Sequence, residues 1–250
     1  MSGALYVVGL GPGPADWMTP EASAALAEIE DLVGYGPYVS RVAPRPGLRL
    51  HASDNRVELE RACAALTLAA EGRRVGIVSG GDPGVFAMAA AVVEAMEQGP
   101  PEWLALDVRV LPGVSAMQAA AARLGAPLGG DFCAISLSDN LKPWSLIERR
   151  LIAASDGDFV TSIYNPASKA RPRQIYDAFA VLRACRGAET PVAFARAIGR
   201  PDEAIVITTL AQADPGVADM STLVIVGAST TRLVERPGRP PYLLTPRSCR

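Results

Sequence analysis

Two polar clusters in the second half of the chain follow directly on short apolar runs. Leu137-Ser-Asp-Asn-Leu-Lys-Pro-Trp144 ends the run Ala134–Leu137, and Tyr164-Asn-Pro-Ala-Ser-Lys-Ala-Arg171 ends Phe159–Tyr164. Between them they hold both lysines of the chain, Lys142 and Lys169, against 22 arginines. In so Arg-biased a sequence a retained lysine marks a place where a compact ammonium is wanted, with chance placement as the rival explanation. Ser138, Asn140, Asn165, Ser168, Arg171 and Arg173 add hydrogen bonders and cations. Such a set suits a ligand that carries several carboxylates, because Arg and Lys form charge-assisted bonds to them. Asp139, Lys142, Tyr164 and Lys169 are the side chains here that can take or give a proton. A solvated basic helix face would supply arginines, but not Leu-Ser-Asp and Tyr-Asn-Pro at strand ends. Arg196 and Arg200 follow a further strand.

The first half offers three glycine-rich turns. Gly9-Leu-Gly-Pro-Gly-Pro14 has the wrong spacing for a dinucleotide fold, and Pro12 and Pro14 remove donors that a pyrophosphate would need. It reads as a rigid wall beside which a large ligand can approach the backbone, or as a plain turn. In Ser79-Gly-Gly-Asp-Pro-Gly84, Gly80 and Gly81 permit the same approach. Asp82 either accepts from ribose hydroxyls or caps a helix beginning near Pro83. Pro112-Gly-Val-Ser-Ala116 repeats the design, with Ser115 as cap or ligand contact. Together the three turns line one edge of one sheet.

The elements that must position these groups alternate. Strands are predicted over 5–9, Val75–Ser79 and Leu106–Leu111, with helices over Thr19–Glu30, Val57–Gly72, Val85–Gln98 and Ser115–Leu124. After Gly125–Gly130 the rhythm restarts. Strands are expected at Phe132–Leu137, Phe159–Tyr164, Pro191–Ala195, Ala204–Thr208 and Thr222–Val226, and helices at Pro143–Ala154 and Arg173–Cys185. No element is assigned between Asp31 and Arg56, and residues from Arg236 read as a Pro/Arg-rich tail. The fold class is α/β with two α/β domains, 1–115 and 116–250. The first carries a mostly parallel sheet and the second a mixed one, with the active-site cleft expected at their interface.

Composition excludes several functions. Over 250 residues the net charge is −2, which gives no global field for nucleic acid or an anionic membrane. No apolar run is long enough to span a bilayer, and the N-terminus has no signal-peptide pattern. Four scattered cysteines without Cys-x-x-Cys spacing and a single histidine, His51, argue against a metal centre and fit a reducing cytoplasm. His51 is read as structural rather than catalytic.

With these residues in view, the chain resembles the tetrapyrrole methylase family. The resemblance runs through Val8–Gly13, Gly80–Pro83, Pro112–Ala116, Ala204–Thr209 and Leu223–Gly227. The two polar clusters, Ser136–Trp144 and Tyr164–Arg171, resemble the branch that methylates precorrin-3B at C17 and contracts the ring to precorrin-4 in cobalamin synthesis. The resemblance implies S-adenosylmethionine bound by Pro12, Gly80, Gly81, Asp82, Val85, Ser115, Ala116, Tyr164, Ala197 and Pro201. It implies a tetrapyrrole held by Ser138, Asn165, Lys169, Arg171 and Arg173, and a cytoplasmic homodimer with no nucleic-acid or membrane partner. Among Asp139, Lys142, Tyr164 and Lys169 the proton-moving residue stays open, with Asp139 and Tyr164 as the leading candidates. Relatives of this branch tend to carry a histidine where this chain has Gly130. Two alternatives share the motifs: the counterpart acting on cobalt-factor III, and a non-catalytic tetrapyrrole carrier. The carrier would have no use for three cofactor-side turns.

Overall fold

The computed structural model describes residues 3–55 and 57–248. The chain divides into two compact units, Met1–Ala116 and Met117–Arg250. In the first unit the elements run β1 (Ala4–Gly9), α1 (Pro20–Glu28), β2 (Asp31–Tyr35), α2 (Gly36–Val39), β3 (Arg49–Ser53), α3 (Glu58–Ala70), β4 (Arg74–Ser79), α4 (Met88–Gln98) and β5 (Asp107–Leu111). The five strands form one sheet in the order β3-β2-β4-β1-β5, parallel throughout. β1 is apolar on both faces because helices cover both. Leu5 and Val7 pack with Leu66 of α3 and Val92 of α4, while Val8 packs with Ala22 and Leu26 of α1. Thr19 opens α1 as expected, its hydroxyl accepting from Ala22 N at 3.1 Å with Pro20 at the first helical position.

The second unit follows from α5 (Ala116–Leu124) through β6 (Gly125–Ala126), β7 (Phe132–Ser136), α6 (Trp144–Asp156), β8 (Val160–Tyr164), α7 (Gln174–Cys185), β9 (Pro191–Arg196), β10 (Ala204–Thr209), β11 (Thr222–Val226), β12 (Arg232–Arg236) and β13 (Arg239–Leu244). Its main sheet, in the order β10-β9-β11-β8-β7, is mixed: β7 runs parallel to β8, and β11 runs antiparallel to both β8 and β9. One face is covered by α6 and α7 through Ile147, Leu151, Ile175, Phe179 and Leu182, with the Phe179 and Phe194 rings stacked 5.8 Å apart. Each fully buried residue of this kind adds roughly 1.5–3 kcal/mol.

Several sequence expectations need correction. The stretch left unassigned after Asp31 contains two strands of the first sheet. β3 is an edge strand whose side chains are largely exposed, so it lacks the apolar alternation that marks a strand. The tail is a hairpin, β12–β13, extended by β6 into a three-stranded sheet. Its prolines, Pro240 and Pro241, fall where the ladder skips Glu235 between the pairs Val234–Tyr242 and Arg236–Arg239. A bulge needs no N–H there, so proline is tolerated. The third helix begins at Met88 instead of Val85, because residues 83–87 make turns after β4.

His51 is structural. Its Nε2 lies 2.7 Å from Asp31 Oδ1, and Asp31, fully buried at the start of β2, also receives Arg49 as a two-pronged pair and Arg73 at 2.6 Å. Burial alone would raise the Asp31 pKa. Hydrogen bonds from Arg49 and His51, with the charges of Arg73 and Arg49, bring it below the usual carboxylate value. A carboxylate with a depressed folded pKa contributes stability above its unfolded pKa and loses it as pH falls through the folded one. Asp31→Asn is therefore expected to destabilise the chain by about 2 kcal/mol near neutral pH. Urea unfolding followed from pH 7 downward should show the gap to wild type closing below pH ~4.

Candidate functional site

Because every strand of the first sheet is parallel, the loops after β1, β4 and β5 leave from the same edge, and β4, β1 and β5 are neighbours. The loops are knitted together by backbone. Gly11 N donates to Gly81 O at 3.1 Å and Gly81 N to Gly11 O at 3.0 Å, a two-bond bridge between glycines that both have positive φ, 66° and 75°. Only glycine takes that conformation without steric cost. Asp82 ties in the third loop: its Oδ2 accepts from Gly113 N at 3.0 Å and its Oδ1 from Gly84 N at 2.8 Å. Asp82 therefore pins loops and does not cap the helix that starts at Met88.

The glycines differ in what they make room for. A Cβ on Gly9 would meet Gly113 N and Gly81 O at 2.8 Å, and one on Gly113 would meet Gly81 O at 2.5 Å. Gly80 is closed by the Tyr38 ring at 2.7 Å, so it serves the protein's own packing. Gly81 is the least crowded of these four: a Cβ there would make ordinary contacts of 3.8–3.9 Å with Val114, Ser115 and Ala116. Of the other residues expected there from sequence, Pro12 and Ser115 are buried and Val85 and Ala116 half-buried. Sequence reasoning missed Arg41, whose guanidinium donates to the carbonyls of Leu10, Gly11 and Gly13, each at 2.9 Å. It lies in the segment left without elements, one among many arginines.

In the second unit β7, β8 and β9 point the same way, so residues 137–143, 165–173 and 197–203 leave from one edge, joined by residues 219–221 at the start of β11. Ser136, at the end of β7, organises the first two loops. Its Oγ accepts from Asn165 Nδ2 at 2.9 Å and from Ser138 N at 3.3 Å. Asp139 Oδ2 accepts from Gln174 Nε2 at 2.9 Å. Ser168 and Arg171 close the turn between them with paired backbone bonds of 3.1 and 3.0 Å. Tyr164 Oη accepts from Met117 N at 3.0 Å, which makes it a side-chain cap for α5.

Arg171, expected to bind substrate carboxylates, is 7% exposed and donates to the carbonyls of Leu137 and Asn165 at 3.3 and 3.4 Å. It fastens the two loops to each other. Arg196 is likewise engaged, by Asp219 and Asp202 at 2.9 Å each. Lys169 and Arg173 are exposed. Lys142 is half-buried. Burial, aided by the charges of Arg150 and Arg171, pulls its ammonium below the usual lysine pKa, against an opposing pull from Asp139. That shift eases loss of its proton. Asn165 and Ala197 hold φ of 51° and 50°, a strain of about 1 kcal/mol each that the surrounding bonds must sustain. Pro201 is exposed in the turn before β10. Beside β7, a Cβ at Gly130 would touch Thr245 Cγ2 at 3.0 Å. The tail takes up the space beside Gly130.

The tetrapyrrole (corrin/porphyrin) methylase family model matches residues 4–214. A precorrin-3B C(17)-methyltransferase of a Sinorhizobium species is 57% identical, over 99% of this chain and 97% of its own. The crystal structure of the methyltransferase CobJ shares 55% identity and superposes with a TM-score of 0.93, covering 98% of this chain and 100% of that one. The fold is shared too by a uroporphyrin-III C-methyltransferase from Thermus thermophilus solved with S-adenyl homocysteine. That chain is 23% identical with a TM-score of 0.67, over 90% of this chain and 97% of its own.

Asp82→Ala should release both glycine amides and cost about 1–3 kcal/mol. Asp82→Asn keeps one acceptor, so amide exchange should show protection retained at Gly84 or Gly113 but not at both.

Proposed function

The chain belongs to the tetrapyrrole (corrin/porphyrin) methylases, and from that premise we propose that it methylates precorrin-3B at C17 and contracts the ring to precorrin-4 in cobalamin synthesis. The observation that carries this reading is the 57% identity, over nearly the full length of both chains, to a precorrin-3B C(17)-methyltransferase. S-adenosylmethionine, when bound, supplies a methyl group activated on a sulfonium. The uncrowded backbone at Gly81, held by the bridged loops, suits a ligand that lies close against backbone, with Pro12, Val85, Ser115 and Ala116 as its neighbours. The Thermus relative solved with S-adenyl homocysteine supports the same donor.

Methyl transfer to carbon needs little covalent help from side chains. Holding donor and acceptor in line supplies up to ~7–11 kcal/mol of the barrier, and fixed loops suit that task. On the substrate side Ser138, Asn165, Lys169 and Arg173 are placed to meet polar groups and carboxylates, while Arg171 sets the spacing of the loops that bear them. Ring contraction also requires a proton to move at an oxygen substituent of the macrocycle. Asp139 and Lys142 are the best placed for it. Asp139 has its second oxygen, Oδ1, available beyond the bond to Gln174, and Lys142 is primed by burial to give up its proton. Tyr164 ranks behind them because its hydroxyl oxygen already serves Met117 N.

The reading includes a homodimer in the cytoplasm. The described cysteines Cys63, Cys133 and Cys185 are free thiols, which suits a reducing compartment. No helix among the described residues is long and apolar enough to cross a membrane.

Purified protein should be offered S-adenosylmethionine with metal-free precorrin-3B or with cobalt-factor III, and the products compared by mass. Methylated, contracted product is expected from precorrin-3B; turnover of cobalt-factor III alone would replace this substrate. Under single-turnover conditions Asp139→Asn is expected to accumulate a methylated, uncontracted macrocycle. Wild-type rates of contraction in that variant would transfer the role to Lys142.

A further inference from the structure

Buried polar atoms in folded proteins almost always have a hydrogen-bond partner, so a buried atom without one calls for an explanation. Among such atoms in the second unit are Ser168 Oγ and Gln174 Oε1, close together in the sequence. Both belong to the segment that leaves β8 and enters α7, at the sheet edge that carries Ser138, Asp139 and Asn165. Gln174 is committed at its other end, since Nε2 donates to Asp139 Oδ2 at 2.9 Å. That bond fixes the amide's orientation, because a flipped amide would set oxygen against carboxylate. Oε1 is therefore held as an acceptor, buried and facing no donor of the protein.

A half-satisfied polar network costs stability, so a compensating role is expected of it. We propose that Gln174 is a substrate-positioning residue: it holds Asp139 through Nε2 and presents Oε1 to an N–H or O–H donor of the bound tetrapyrrole. Ser168 Oγ adds a second acceptor to the same segment. Gln174 then works largely through Asp139, turning one carboxylate oxygen inward and leaving Oδ1 for the substrate. The inference rests on the tetrapyrrole reading given above.

A structural glutamine and a positioning one respond differently to Gln174→Leu. Leucine keeps the volume, and the bond to Asp139 that it loses is offset in part by removal of a buried acceptor that had no partner, so Tm should fall by no more than about 4 °C. Methyl transfer with precorrin-3B should nonetheless fall in kcat/KM by roughly a hundredfold, because the substrate and Asp139 lose their registration. In the contraction step, followed at single turnover, adding Gln174→Leu to Asp139→Asn should cost at most about twofold more, as expected for residues that act as a unit on that step. A Gln174→Leu enzyme within twofold of wild type would overturn the proposal. So would losses that multiply in the double variant, or a fall in Tm that accounts for the lost activity. Should wild type fail to methylate precorrin-3B, the substrate reading falls by itself. The cycle is then read from the Kd of uroporphyrin III, a polycarboxylate tetrapyrrole, by fluorescence quenching. Unchanged affinity in Gln174→Leu would sink the positioning role there as well.

Discussion

The geometry of the first unit depends on the two-bond bridge between Gly11 and Gly81. Parallel strands cannot be joined by tight turns, so their C-terminal loops ordinarily leave the sheet independently. Here the backbone of one loop completes that of the next, and the carboxylate of Asp82 draws in the third. Both bridge glycines sit at positive φ, and a Cβ on Gly9 or Gly113 would force the loops apart. Arg41 binds three carbonyls of the first loop, one of them the Gly11 oxygen that also receives Gly81 N. A tightly bonded edge is the result, least crowded at Gly81.

The second unit reaches comparable rigidity by side chains. Ser136, Asn165, Arg171 and Gln174 each join residues from different loops, and two of these four lie on the strand that precedes or the helix that follows. Such bonds do not determine the fold, which comes from the apolar face beneath α6 and α7. They determine where the exposed polar groups point. Non-glycine residues in left-handed conformation, Asn165 and Ala197, occur at two of the loop starts, as expected where function constrains the backbone more than stability does.

The sequence displayed the motifs more clearly than the reasons for them. Apolar runs such as Leu5–Val8 and Thr222–Val226 announced their strands, and the alternation of elements announced α/β units. β3 stayed hidden because Arg-Leu-His-Ala-Ser at a sheet edge buries too little to leave a pattern, and β13 because two prolines suggest a tail until a bulge accommodates them. Among the site residues, type and position drew attention to Asp82, Arg171 and Tyr164, yet each proved to be bonded within the protein. Gln174 and Arg41 gave no local signal, since what distinguishes them is a partner 35 or 30 residues away.

The bulge in the C-terminal hairpin bears on how the molecule behaves when crowded. β12 is the outer strand of its small sheet, and Leu233 and Val234 are exposed along it. An uninterrupted strand of that kind would template the addition of another chain. Skipping Glu235 twists the ladder, and Arg232, Glu235 and Arg236 bracket the apolar pair with charge. Arg236 also lies flat over the Tyr242 ring, 3.8 Å from its centre, which occupies one face of the ribbon. The prolines that concealed β13 thus help keep its neighbour β12 from polymerising.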